Sequence, residues 1–357
     1  MIDLSRYFSS KYAGLTPYTP GEQPKYRKFI KLNTNESPFP PSPRAQALAK
    51  AAAEDLQLYS DPECRDLVQT AAARLGVDPE EILFTNGSDE ILNFAFMAFC
   101  DETHPAIFPD ITYGFYKVFA ELNGIPYTEI PLKPDFSVDI GDYLGQNKTI
   151  FLANPNAPSG IALPLADIEA IVSSNPNSVV VIDEAYIDFG GESAVSLIHK
   201  YDNLLVTQTF SKSRSMAGAR LGFGIGCKDL IRDLNTIKYS TNPYNVNRMT
   251  MAAGIGALED DDYFRSNCQT IVDTRAWTAQ QLTALGFTYP ESATNFIFTR
   301  HDRIPGKTLY QALRQKGILV RHFDKPKLTD YLRITIGSKD QMSALICALK
   351  EILEESL

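Results

Sequence analysis

Ser178-Val179-Val180-Val181-Ile182-Asp183-Glu184-Ala185-Tyr186 is the stretch that decides the fold. Four consecutive β-branched residues form an apolar run too short for a typical helix and without polar alternation, so the pattern predicts a strand over Ser178–Asp183, buried on both faces. Such strands belong to parallel sheets covered by helices. The run also ends on an acid. A carboxylate left alone in that position is costly, so Asp183 needs a partner. A helix-capping aspartate and a ligand-holding aspartate both satisfy this requirement.

Outward from that strand, short apolar runs alternate with helical stretches. Upstream, the pattern predicts helices over Arg44–Leu56, Arg65–Leu75, Ser88–Cys100, Gly114–Leu122 and Leu165–Ser173, with strands over Glu81–Thr85 and Lys148–Ala153. Downstream, strands are expected over Leu204–Thr209 and Leu221–Gly226. The alternation predicts an α/β fold with a mostly parallel sheet flanked by helices. After about residue 246 the style changes. Helices over Val246–Leu258 and Asp261–Leu285 precede a strand (Asn295–Thr299), a helix (Lys307–Lys316), two short strands (Ile318–Arg321, Tyr331–Ile336) and a last amphipathic helix, which indicates a smaller α+β domain. The expected division is an amino-terminal arm over residues 1–43, a large domain over 44–260 and a small domain over 261–357. The arm carries Pro17, Pro20, Pro24, Pro38, Pro40, Pro41 and Pro43, so it is irregular. Its Tyr18, Tyr26, Phe29 and Phe39 favour an ordered arm that joins the small domain or a dimer contact.

With 357 residues the chain is long enough for two domains. Its 34 basic and 43 acidic residues leave a net charge of −9, which gives no bulk attraction for nucleic acid or an anionic membrane. Any anion it binds must meet a local basic site. The five cysteines stand far apart and in no CxxC spacing, which argues against both a disulfide framework and a zinc site, so no metal is expected. Met1–Arg6 has no signal-like apolar core, and no run approaches the ~18 apolar residues of a membrane span. A cytoplasmic protein is expected.

Five segments carry chemistry-bearing residues at strand or helix ends. Thr209-Phe210-Ser211-Lys212 follows a predicted strand, where ligands of open α/β sheets sit. A lysine held near its neutral form there can form an imine with an aldehyde, although a solvated Ser/Lys loop has the same composition. Eight residues on, Arg220 stands in Ala217-Gly218-Ala219-Arg220-Leu221-Gly222, suited to clamping a phosphate. Gly87-Ser88-Asp89 opens a helix, which suits either a phosphate nest or an ordinary cap. Tyr113 offers a flat ring for stacking or for a core. Asn154-Pro155-Asn156-Ala157-Pro158-Ser159-Gly160 reads as a rigid turn after a strand. The ordered set is phosphate loop, aromatic, Asn-Pro turn, strand-end acid, Ser-Lys and Arg, and no GxGxxG or Walker pattern accompanies it.

This set, with Lys31-Leu32-Asn33-Thr34-Asn35-Glu36-Ser37-Pro38, Asp183-Glu184-Ala185-Tyr186 and Leu332-Arg333-Ile334-Thr335-Ile336-Gly337, resembles the fold-type-I pyridoxal-phosphate (PLP) enzymes, and within them the histidinol-phosphate aminotransferases. The resemblance spans nearly the whole chain. It implies that Lys212 holds PLP covalently and moves the reacting proton. Asp183 would keep the pyridine nitrogen protonated, Tyr186 would bond the phenolic oxygen, and Tyr113 would stack on the ring. Gly87, Ser88, Asp89, Ser211 and Arg220 would surround the phosphate, and Tyr59 would reach the cofactor of the partner subunit in a homodimer. Arg333 and Arg321 would bind the substrate anion, with Tyr18, Asn35 and Asn295 beside it. In many relatives a second asparagine of the turn touches the phenolic oxygen. Here Ala157 takes that position, and Asn154 or Asn156 is the expected replacement.

The activity implied is transamination between L-histidinol phosphate and 2-oxoglutarate in histidine biosynthesis. The rivals are a threonine-phosphate decarboxylase, a broad aromatic aminotransferase and a non-catalytic regulatory protein of the same fold.

Overall fold

The computed structural model describes residues 5–24 and 27–355. Met1–Leu4 of the leading segment, Lys25, Tyr26 and the last two residues lie outside the described residues. The elements follow in chain order. The first are β1 (Ile30–Lys31), α1 (Pro43–Ala52), α2 (Arg65–Leu75), β2 (Ile82–Thr85), α3 (Ser88–Phe99), β3 (Ala106–Pro109), α4 (Phe115–Asn123) and β4 (Tyr127–Ile130). Then come β5 (Thr149–Ala153), α5 (Leu165–Ser174), β6 (Val180–Asp183), β7 (Leu204–Thr209), β8 (Gly222–Gly226), α6 (Lys228–Thr241) and α7 (Arg248–Glu259). The last are α8 (Asp261–Ala284), β9 (Phe287–Thr288), β10 (Phe296–His301), α9 (Gly306–Gln315), β11 (Ile318–Leu319), β12 (Arg321–His322), β13 (Tyr331–Thr335) and α10 (Lys339–Glu355).

Seven strands form one sheet in the order β2-β8-β7-β6-β5-β3-β4. Every strand except β8 runs the same way, since β8 pairs antiparallel with both β2 and β7. The period of two explains its double burial. Ile150, Leu152, Val180, Ile182, Leu204 and Val206 feed the core on one face. Phe151, Val181 and Leu205 feed the core on the other, where α3 and α4 pack. The continuous apolar runs of the central strands follow from this.

A second sheet, β12-β13-β10-β9, is antiparallel and shares a separate core with α8, α9 and α10. The arm is tied to this part of the molecule, because β1 pairs parallel with β11. Here the expected single strand Ile318–Arg321 needs correction. The chain divides at Val320, so that Ile318–Leu319 pairs with the arm and Arg321–His322 with β13. Five further elements were not expected, among them the two-residue strands β1 and β9. β3 is a four-residue strand ending in proline, β4 is a half-exposed strand of mixed polarity at the sheet edge, and α6 is a charged helix with only one buried stripe. None of them offers the long apolar run that makes a strand or helix legible.

Candidate active site

The register of the large sheet brings the chemistry to one end. Ala153, Asp183 and Thr207 are neighbours across β5, β6 and β7, and Thr209, Gly222 and Thr85 across β7, β8 and β2. The loops beyond these residues lie at the carboxyl ends of the parallel strands, where ligands of open α/β sheets bind. A cavity there is lined by Ser88, Asp89, Tyr113, Asp183, Tyr186 and Lys212, and also by Ser211 and Arg220. A wider groove opens at the opposite end of the strands, but its lysines, Lys200 and Lys228, are ion-paired with Glu169, Asp78 and Glu80.

Asp183 lies on the cavity floor, 4% exposed. It accepts hydrogen bonds from the Tyr116 hydroxyl (3.0 Å), the Ala185 amide (3.2 Å) and the Thr207 hydroxyl (3.5 Å). Burial nevertheless pushes its carboxyl up to about 6, since three neutral donors do not replace a cation. Tyr116 was missed in the sequence. The available signal was its position three residues after Tyr113, on the same face of the segment that becomes α4.

Lys212 lies in the loop after β7. Its Nζ donates to the Thr34 carbonyl at 3.3 Å and sits 5.9 Å from the Tyr186 ring centroid. Burial, then the nearby Arg333, lowers its amine to about 8. The loop is pinned on three sides. Ser213 donates to Asp188, Arg214 donates to the Ala257 carbonyl (2.8 Å) while lying over the Phe264 ring, and Ser215 bonds Ser37 (2.8 Å).

The phosphate-type corner lies at the start of α3. Helix N-termini present N–H groups that no residue of the helix satisfies. Gly87 has φ 82°, and a Cβ there would fall 2.4 Å from the Arg220 guanidinium. A Cβ on Gly222 would fall 2.3 Å from the Ser88 amide nitrogen. Glycine is therefore required at both positions for strand, helix end and arginine to converge. Arg220 donates to Asp89 at 2.9 Å and lies 3.5 Å from the Ser211 hydroxyl, while the Tyr113 hydroxyl donates to the other Asp89 oxygen.

A second basic corner belongs to the smaller sheet. Arg321 and Arg333 stand directly opposite each other on β12 and β13. Arg333 donates to the Asn33 carbonyl at 3.1 Å, and its Nε is buried with no hydrogen-bond partner among the described residues. Arg321 donates to the carbonyls of Thr19 and Pro20. Both guanidinium groups lie 5.7 Å from the Phe323 ring centroid. Tyr18 stacks on Phe115, with ring centroids 4.3 Å apart. Asn295 is fully buried and donates to the Asn35 carbonyl at 3.0 Å.

Two residues stand apart from these corners. Tyr59 is 80% exposed and stacks on Tyr244, away from the cavity of its own chain. Asn156 is buried but directs its amide to the Ile111 carbonyl and the Ser159 hydroxyl, and accepts from Thr112. Asn154 is committed to Leu163. Both asparagines are thus bonded within their own turn and to the segments beside it. Asn35, on the arm, donates to the Tyr186 oxygen at 2.8 Å.

The sequence matches the family described as Aminotransferase class I and II over residues 27–349. It is 48% identical over 355 residues to a histidinol-phosphate aminotransferase of Aromatoleum aromaticum, covering 98% of this chain and all of that one. A histidinol-phosphate aminotransferase of Brachyspira hyodysenteriae is 47% identical, with 98% of this chain and all of the relative covered. Among solved structures, the histidinol-phosphate aminotransferase from Sinorhizobium meliloti in complex with pyridoxal-5'-phosphate superposes with a TM-score of 0.89 at 25% identity over the full length of both chains. The residues present fit PLP. The buried Asp183 carboxylate pairs with no cation among the described residues, the glycine-lined helix end with Arg220 suits a phosphate, and a lysine with a lowered amine lines the same cavity. The chain therefore belongs to the class I and II aminotransferases, PLP-dependent enzymes, and within them to the family of the histidinol-phosphate aminotransferases.

Proposed function

We propose that the chain transfers the amino group of L-histidinol phosphate to 2-oxoglutarate, giving imidazole acetol phosphate and L-glutamate, as a step of histidine biosynthesis. The cross-strand pair Arg321 and Arg333 carries this reading. Like charges directly opposite in an antiparallel ladder destabilise it, so the pair is best explained by an anion that both arginines hold. Histidinol phosphate brings an amine and a phosphate without a carboxylate, and glutamate brings two carboxylates. One arginine pair serves both half-reactions, because guanidinium matches either anion through paired hydrogen bonds. The names of relatives at 48% and 47% identity support the same substrate.

When bound, PLP supplies an electron sink for the pair left behind as the substrate carbon loses its proton. Lys212 would hold it covalently in the resting enzyme, and its amine, once freed by the incoming substrate amine, would take up and return that proton. Asp183 would keep the pyridine nitrogen charged, which gives the buried carboxylate the cation it lacks. Tyr186 would donate to the phenolic oxygen and Tyr113 would lie against the ring. Gly87, Ser88 and Asp89, with Ser211 and Arg220, would enclose the phosphate. Asn156 acts through the shape of its turn. Tyr18, Asn35 and Asn295 border the substrate.

Tyr59 reaches the cofactor of a second copy, so the working form is a homodimer in the cytoplasm. The exposed Leu56, Leu58, Tyr59, Tyr239 and Tyr244 support a subunit contact. The residues fall into an arm (1–43), a large domain (44–260) and a small domain (261–357).

A panel of amino donors with 2-oxoglutarate tests the reading. Histidinol phosphate is expected to be preferred over phenylalanine by kcat/KM, and threonine phosphate is expected to release no carbon dioxide. Preference for phenylalanine, decarboxylation of threonine phosphate, or a purified protein without a visible PLP absorbance would overturn it.

A further inference from the structure

Asn35 is 1% exposed and left-handed, with φ 55°. Its backbone N–H donates to Thr335 Oγ1 at 2.9 Å, so the Thr335 hydroxyl keeps its own proton to donate, and it donates to Asn35 Oδ1 at 3.1 Å. Asn35 Oδ1 thus faces Thr335. The other end, Nδ2, faces Tyr186 and donates to its phenol oxygen at 2.8 Å. The Asn35 carbonyl is held in turn by Asn295 Nδ2 at 3.0 Å. A phenol oxygen that accepts from Asn35 has its O–H free for another partner. Tyr186 lines the same cavity as Lys212 and Asp183.

We infer that Thr335 and Asn35 form a one-way hydrogen-bond relay that aims the Tyr186 proton into the cavity, toward the ring oxygen of the bound cofactor. Both are positioning residues that act through Tyr186. Thr335 lies two residues after Arg333 on β13, so both side chains share one face of that strand. The strand that carries the substrate arginine therefore also starts the relay. The inference rests on the assignment of Tyr186 as a donor to the cofactor.

The test is a pH titration of the visible absorbance of the PLP-loaded enzyme without substrate. A donor aimed at an anionic oxygen stabilises the deprotonated partner of an acid–base pair, so weakening the donor raises the midpoint. Asn35→Gly retains the left-handed backbone and deletes the amide. It is expected to raise the midpoint by about half to one pH unit, and to raise it no further in a Tyr186→Phe background. Thr335→Val is expected to give a smaller rise, and Thr335→Ser to restore the parent value. Thr335→Val and Thr335→Ser also decide the matter should Asn35→Gly fail to fold. A lowered Tm in Asn35→Gly or Thr335→Val with an unmoved midpoint would reduce the relay to a structural contact and overturn the inference. Equal shifts from Asn35→Gly with and without the Tyr186 phenol would overturn it as well. If Tyr186→Phe itself moves nothing, the assignment of Tyr186 fails, and the relay falls with it.

Discussion

The two basic corners, one lining the cavity and one on the smaller sheet, are built differently. Arg220, at the large sheet, is ion-paired with Asp89 at 2.9 Å and sits against a glycine whose replacement would collide with it. Arg333 and Arg321, at the small sheet, pair with no carboxylate among the described residues and rest on main-chain carbonyls of the arm. A charge held by an opposite charge and close packing is fixed in place. A charge held by neutral carbonyls keeps its full attraction for an anion, and the carbonyls are easily replaced. The first arrangement suits a phosphate that stays, and the second suits anions that are exchanged in every cycle.

The largest expected effect lies between the corners. Lys212→Ala should abolish turnover, and borohydride reduction should no longer link PLP to the chain. Full-yield linkage in this variant would show that another group holds the cofactor. Asp183→Asn comes next. The amide preserves the shape beside Tyr116 but cannot hold a pyridinium, so kcat should fall by about 10²–10³-fold with the fold retained. Near-native turnover would remove Asp183 from the chemistry.

The charge of the second corner also reaches Lys212, whose amine is lowered to about 8 by burial and by Arg333. The neutral amine that captures PLP therefore accumulates as pH rises through about 8, whereas an ordinary lysine needs about 10.4. The rate of covalent PLP capture by the apo-protein should level off above pH 8. A rate that keeps climbing to pH 10 would contradict the geometry. The smallest effect belongs to Tyr59→Phe, which would remove the proposed hydrogen bond to the second copy's cofactor, worth about 0.5–1.5 kcal/mol. PLP affinity should fall several-fold. Mixing Tyr59→Phe with Lys212→Ala subunits should gather both defects at one site of the mixed dimer and leave the other with parent PLP affinity, and a structure with Tyr59 against its own chain's cofactor would refute the arrangement.

The large corner was the more legible in sequence. Strand ends and helix starts are local signals, so Asp183, Lys212, Arg220 and the Gly87–Asp89 turn could be picked out from flanking apolar runs. The small corner depends on pairing between distant segments. Nothing near Arg321 shows that the chain divides at Val320 and that β12 returns to place Arg321 opposite Arg333. Tyr116 and Thr335 were missed for the same reason, since each acts through a residue remote in sequence. The donor to Tyr186 is likewise remote, since Asn35 lies 151 positions from it along the chain.

The central claim is that one corner holds the cofactor and the other the substrate. Arg333→Lys and Arg220→Lys, each assayed for PLP affinity and for kcat/KM with histidinol phosphate and with glutamate, test it together. Arg333→Lys should lower kcat/KM for both substrates at least about tenfold, at about 1.5–3 kcal/mol per charged hydrogen bond removed, and leave PLP affinity nearly unchanged. Arg220→Lys should weaken PLP, and at saturating PLP both substrates should be used at close to the parent ratio. Unchanged kinetics for both substrates in Arg333→Lys, or a loss of PLP as large as that in Arg220→Lys, would contradict the division of the site.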